Sequence, residues 1–225
     1  MDRRRLHILH VTPYYEPAWA FGQTPATVAA LAKAQAARGH SVTVLTTDAM
    51  APHERLPRGD LMVEGVRVVR VPNVSGSIRV WLGWSTPIGM RRRARTIFGE
   101  LAIDVIHLHE LVSIESVRVV CVAPERIPVV VSLHQQFDDG AVLSARLGRV
   151  WYRTGGRRVL ARLRRAIAAS PEAAVRFEQR WTRLAGAPFP VPLSVADTRG
   201  AGEPVAFWDR VYADARARLS SASPR

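Results

Sequence analysis

Short apolar runs alternate along this chain with longer segments whose apolar residues recur at helical spacing. The first run is Leu6, Ile8, Leu9 and Val11, with His7 and His10 between them. A run that short beside a turn-rich segment suits a strand covered on both faces of a parallel sheet, and His7 and His10 read as sheet residues. A long loop follows and ends in Gly22-Gln23. A helix is then predicted to open at Thr24-Pro25. Thr24 can cap it, and Pro25 suits a first turn where the missing N–H is no loss. Val28, Leu31 and Ala32 give it an apolar stripe, and Gly39 can close it in the left-handed conformation.

The same alternation continues. Further strands are predicted at Val42–Thr46, Val66–Val71, Asp104–Glu110, Val129–Leu133 and Ala166–Ala169. Between them, helices are predicted at Arg91–Leu101, at Ser113–Val122, over Ala141–Arg165 with an interruption at Gly155-Gly156, and at Glu172–Leu184. Asp48–Asp60 reads as a loop, and Ser75–Thr86 as an irregular segment holding Trp81 and Trp84. From Gly186 the chain is Pro-rich, and the tail contains at best one helix, Phe207–Leu219. Strands that alternate with helices predict an α/β fold. The expectation is one Rossmann-like, doubly wound, mostly parallel sheet over 1–197, with an irregular or helical tail over 198–225. No internal repeat is visible.

Composition narrows the picture. Of 225 residues, 48% are hydrophobic, enough for a core of domain size. The net charge of +13 is almost all arginine, because Lys33 is the only lysine. Such a charge favours anionic partners: phosphates, acidic lipid surfaces or nucleic acid. Cys121 is the single cysteine, set in an apolar run and read as a buried thiol; alone it excludes an intrachain disulfide. Arg3-Arg4-Arg5 before an apolar stretch looks like a signal peptide, but the stretch is short and broken by two histidines. No run is long enough to span a bilayer, so the expected location is the cytoplasm, with a peripheral placement at the inner membrane face as an option.

Three predicted strands end in polar residues: His109-Glu110, His134, and Ser170 with Glu172. In doubly wound sheets the carboxyl ends of the strands face the ligand crevice. These residues and Gly22-Gln23, at a helix N-terminus suited to anions, are therefore expected to share one edge. His107 and His109 are two apart and make a metal pair conceivable, but no third ligand is apparent in the sequence and no metal is expected. There is no G-x-G-x-x-G after the first strand, no phosphate-loop motif and no G-x-S-x-G elbow. The arginine groups Arg91-Arg92-Arg93-Arg95 and Arg157-Arg158-Arg162-Arg164-Arg165 read first as solvated helix faces. Without a recognised binding module, nucleic acid is not favoured. Trp81, Trp84, Ile88 and the arginines after them could instead meet anionic headgroups.

Taken together, ILHVTPYYEPAWAFGQ, LAKAQAARGHSVTVLTTD, GVRVVRVPN, DVIHLHE, VVVSLHQQ and AIAASPEAA resemble the N-terminal domain of retaining glycosyltransferases of family 4, with the GT-B fold. The resemblance runs from about Leu6 to Asp197. It implies an acceptor-side domain whose C-terminal partner binds a nucleotide-sugar donor, with no other cofactor. By position, it implies that Gly22-Gln23 lie near acceptor and donor phosphate, although the family has a second glycine where this chain has Gln23. His134 would contact the donor sugar, the one residue here to which the resemblance gives a catalytic part. The glycine that normally follows it is Gln135 in this chain. His109 and Glu110 would lie near the acceptor, and Ser170 and Glu172 would match the family's serine–glutamate turn. A donor domain is expected after Asp197 and the sequence ends soon afterwards. The expectations are thus a chain inactive alone, a module that pairs with a separate donor-binding chain, or a basic protein that binds anions or a membrane surface. The implied partners are a nucleotide-sugar and an acceptor glycan or lipid.

Overall fold

Among the described residues the alternation becomes eight strands: β1 (His7–Val11), β2 (Ser41–Thr47), β3 (Gly59–Val63), β4 (Val66–Val71), β5 (Val105–Leu108), β6 (Val129–Leu133), β7 (Leu163–Ala168) and β8 (Leu193–Val195). The helices are α1 (Thr24–Ala37), α2 (Met90–Glu100), α3 (Ile114–Val120), α4 (Arg157–Arg162), α5 (Pro171–Ala185) and α6 (Pro204–Ser221). The structure, a computed structural model, describes residues 5–74, 85–134, 148–185, 187–191, 193–195 and 204–221. The strand order is β3-β4-β2-β1-β5-β6-β7-β8. Every pairing is parallel except β3 with β4. From β1 the chain steps outward through β2 and β4, then returns and steps outward the other way from β5. The order reverses between β1 and β5, which is where an open α/β sheet leaves a crevice beyond its carboxyl ends.

Successive strand residues point to opposite faces, and the core divides accordingly. On one face Leu9, Val11, Leu45, Ile106, Leu108 and Val131 pack under α2 to α5. On the other, Val42, Val44, Val66 and Val68 pack under Val28, Ala29 and Ala32 of α1. Beside them Ile8, Val105, Val130 and Ile167 pack under Trp208, Val211, Tyr212 and Ala215 of α6. The sheet is therefore doubly wound and mostly parallel, as expected.

Several local readings change. Gly59–Val63 is an antiparallel edge strand, where a loop was read up to Asp60. Its residues are mostly exposed, so it carries no apolar alternation to recognise. β7 opens at Leu163, three residues before the expected start. Arg164 and Arg165 there are only half-buried and mask the apolar pattern. β8 is a further parallel strand beside β7 and only half-buried. Thr24 does not cap α1: Gln23 holds the N-cap position without a side-chain bond, and Thr27 Oγ1 donates to the Gln23 carbonyl at 3.2 Å. Gly39 closes the helix with φ of 91°, as expected of a left-handed terminator.

Gly155-Gly156 do not break their helix. They lie in a π-helical turn, Tyr152–Gly156, that runs straight into α4. A Cβ on Gly155 would stand 2.3 Å from Val117 Cγ1, and one on Gly156 2.3 Å from the Trp151 ring. Close approach to α3 and to Trp151 is what these glycines permit. Cys121 is half-buried at the end of α3 rather than fully buried. The 198–225 tail contains α6, which lies against the sheet: Arg165 pairs with Asp214, and His40 Nε2 lies 3.1 Å from Asp209 Oδ1.

Candidate functional site

β1 and β5 are register partners across the reversal, and the pairing sets His10 beside His107. Each lies two residues beyond an apolar position of the α6-facing layer, Ile8 and Val105, so both side chains point to that same face. His109 follows β5 and is anchored by its own N–H to the Val11 carbonyl at 3.0 Å. His134 follows β6. The result is a row of histidine rings. His10 and His109 have centroids 5.1 Å apart, His107 and His109 4.1 Å, and His109 and His134 5.4 Å.

Hydrogen bonds join the row into a chain. His134 Nε2 is 3.2 Å from His109 Nδ1, and His109 Nε2 is 2.8 Å from His10 Nδ1. His10 Nε2 is 2.7 Å from Gln35 Oε1 on α1. The Gln35 amide donates to the Tyr212 hydroxyl of α6 at 3.0 Å, and that hydroxyl is 2.8 Å from His107 Nδ1. His107 Nε2 ends the chain 2.7 Å from Ser132 Oγ on β6. Trp208 of α6 lies over His107, with ring centroids 4.3 Å apart.

His10, His107 and His109 are almost fully excluded from solvent, and His134 is half-buried at the open end. Burial disfavours the charged imidazole and lowers every one of their pKa values. His10 and His134 fall to about 4, while His107 and His109 fall well below the usual value, helped by their neighbouring histidines. All four are neutral near pH 7. The same burial raises the Tyr212 phenol far above its ordinary value.

His10 supplies the third histidine that the sequence did not reveal beside His107 and His109, with ligand-capable atoms of the three within 4.8 Å of one another. Both ring nitrogens of each already have a hydrogen-bond partner within the chain. A metal would have to displace several of those bonds, so the donor set fits a hydrogen-bonded relay better than a coordination sphere.

The remaining expected residues lie along the same carboxyl edge with different surroundings. Gly22 follows the 3-10 turn Trp19–Phe21, is exposed, and takes φ of 94° with ψ of −160°, a geometry that only glycine adopts without strain. Gln23 is exposed at the start of α1. Glu110 is half-buried beside His109. Ser170 Oγ accepts from the Ala173 N–H at 3.1 Å and caps α5, whose exposed Glu172 suits the positive helix end. Among the described residues, no hydrogen bond links Gly22, Gln23, Ser170 or Glu172 to the histidines. Gln135 and the Trp81 and Trp84 segment lie outside the described residues.

Sequence reading missed Gln35, Tyr212 and Ser132, and treated His10 only as a strand residue. Gln35 had a legible signal. It extends the buried stripe of Pro25, Val28, Ala29 and Ala32 at helical spacing, so a polar side chain sits where an apolar one is expected. The arginines are partly structural. Arg162 donates to the carbonyls of Ala123 at 3.1 Å, Pro124 at 2.7 Å and Ile127 at 3.1 Å. Arg93 pairs with Asp60, whereas Arg91, Arg92 and Arg95 are exposed.

No curated protein matches this chain. Among solved structures, sucrose-phosphate synthase from Thermosynechococcus elongatus is similar in fold, with a TM-score of 0.51 at 13% identity. The match covers 84% of this chain and 47% of that one, so the chain spans about half the length of that structure. Residues 25–184 match Glycosyltransferase Family 4, and the chain, with its reversal between β1 and β5 and its polar strand ends, belongs to that family.

Proposed function

We infer that this chain forms the acceptor-side half of a retaining glycosyltransferase, moving a sugar from a nucleotide-sugar donor to an acceptor hydroxyl. The observation that carries the reading is the half-buried His134 at the carboxyl edge next to the strand reversal, backed by a buried hydrogen-bonded chain in a member of Glycosyltransferase Family 4. A neutral imidazole held in one orientation suits recognition of sugar hydroxyls. The exposed Gly22 loop and the N-terminus of α1 suit the anionic part of a donor or acceptor. In this reading Glu110 borders the acceptor, His109 lies buried behind it with both ring nitrogens bonded to other histidines, and Ser170 and Glu172 border the donor at the next strand end.

Transfer requires stabilisation of the departing phosphate, an electrostatic task for preorganised donors or cations. In this reading those groups belong to a second, nucleotide-binding unit, on a continuation of this chain or on a separate one. The test is calorimetric titration of the purified chain with a panel of nucleotide-sugars, alongside a transfer assay. The expected result is negligible transfer and weak or undetectable donor binding by the chain alone. Robust, metal-independent transfer by the chain alone would overturn this division of labour.

A second reading concerns the acceptor. Ile88 is 53% exposed, directly before α2 with its exposed Arg91, Arg92 and Arg95. An apolar residue beside exposed cations suits an anionic lipid surface, and hence a lipid-borne acceptor. No described helix is long and apolar enough to cross a membrane. Co-sedimentation with anionic vesicles that is lost on adding salt supports it; equal binding to neutral vesicles speaks against it.

A further inference from the structure

His134 is connected to a side chain on α1 and another on α6 by hydrogen bonds alone. A neutral imidazole has one donor nitrogen and one acceptor nitrogen, so each bond decides the next. The direction is set at Gln35, whose amide oxygen only accepts and whose nitrogen only donates. Gln35 Nε2 donates to the Tyr212 hydroxyl at 3.0 Å, which leaves Oε1 facing His10 Nε2 at 2.7 Å. His10 must therefore hold its proton on Nε2 and accept on Nδ1. His109 Nε2, 2.8 Å from that acceptor, must donate, and its own Nδ1 accepts. His134 Nε2 then donates across 3.2 Å, and His134 Nδ1 has a lone pair and no hydrogen.

The other arm is compatible. With Gln35 donating to its oxygen, the Tyr212 hydroxyl has its own O–H to give to His107 Nδ1, which leaves His107 Nε2–H to donate to Ser132 Oγ. Turning the Gln35 amide over would reverse every bond in both arms and put the proton of His134 on Nδ1. The arm from Gln35 through His10 and His109 to His134 thus has two self-consistent directions, and any mixture of them leaves a buried donor facing a donor or an acceptor facing an acceptor.

We propose that Gln35 and Tyr212 are positioning residues that, through His10 and His109, hold His134 as the Nε2–H tautomer with the Nδ1 lone pair available to a ligand. Such a nitrogen accepts from a hydroxyl and cannot donate to a phosphate oxygen. Position 134 therefore selects a hydroxyl of the bound sugar over an anionic group. Only this last step rests on the glycosyl-transfer reading; the tautomer follows from the orientation of the Gln35 amide.

Long-range proton–nitrogen correlation spectra of the nitrogen-15-labelled protein near neutral pH read imidazole tautomers directly. The expected result is a protonated Nε2 and a bare Nδ1 on His10, His107, His109 and His134. A proton on Nδ1 of His134, or an averaged signal from two tautomers, would overturn the proposal. Gln35→Leu removes the anchor, and Tyr212→Phe frees the amide to turn over. In either variant the single-tautomer signature of His134 should be lost. Its persistence in a folded variant also overturns the positioning role. If neither variant folds, the wild-type spectra still decide the tautomer, and its absence there sinks the proposal. No sugar or nucleotide is present in the measurement, so failure of the glycosyl-transfer reading would leave the spectra unchanged.

Discussion

On the face covered by α2 to α5, the central strands present Leu9, Val11, Ile106, Leu108 and Val131 to other apolar side chains. On the opposite face the same strands begin with Ile8, Val105 and Val130, then continue with His10, His107 and Ser132 under α1 and α6. Apolar packing is non-directional, so the first face derives its strength from area and tolerates rearrangement. The polar layer contributes less per residue, since each bond replaces one that water would have made. It is directional, however, and admits only consistent donor–acceptor orders. One face holds the sheet together, while the other sets the state of a side chain at its edge.

The largest expected effect tests the apolar face. Trp151 is buried, packs against Gly156, and donates Nε1–H to the Ser113 carbonyl at 3.0 Å. Trp151→Ala should cost about 4 kcal/mol of unfolding free energy, read as a fall in urea midpoint. A loss well under half of that would show that the face collapses around the gap.

Acid should act chiefly on the polar face, where the histidines are most deeply buried. His10 has a folded pKa of about 4 against an unfolded value of 6.5. Above pH 6.5 it is neutral in both states and has no effect on stability. Between pH 6.5 and 4 the unfolded chain takes up a proton that the folded chain refuses, so stability falls. For His10 alone, linkage gives a loss of roughly 2–3 kcal/mol between neutral pH and pH 4.5. Urea titrations across that window check it; a flat profile would show the histidines to be more hydrated than their burial implies.

Gln35→Leu sharpens the contrast. It preserves apolar volume but strips His10 and Tyr212 of a partner, and should cost about 1–3 kcal/mol. The matched change Leu31→Met on the same helix should cost less than about 1.5 kcal/mol. Equal losses would mean that the polar layer behaves as ordinary packing. The smallest effect is expected at Gly22→Ala. No atom lies within 4 Å of a Cβ there, so only the φ of 94° is strained, at about 1 kcal/mol. Unfolding midpoints measure it, and a larger loss would reveal crowding at the loop.

The readable features were local. The alternation of short apolar runs with helical stripes gave the doubly wound sheet, because strand and helix periods follow from backbone geometry. Polar residues at strand ends placed His109 and His134 at the carboxyl edge. Edge strands β3 and β8 were not readable, since exposed or half-buried positions carry no alternation. The Gly155-Gly156 pair looked like a helix break because a close approach to Val117 and Trp151 leaves no mark on the sequence around the glycines.

Sequence alone determined which way each strand residue faces and that polar groups collect at one edge. It could not determine who meets whom. His10 lies 99 residues from His109, and Gln35 lies 177 from Tyr212. Those partners depend on which strands become neighbours across the reversal and on where α6 docks. Periodicity is set by the dihedral angles of a few adjacent residues, whereas a hydrogen-bonded chain across two helices and three strands exists only once the tertiary fold has closed.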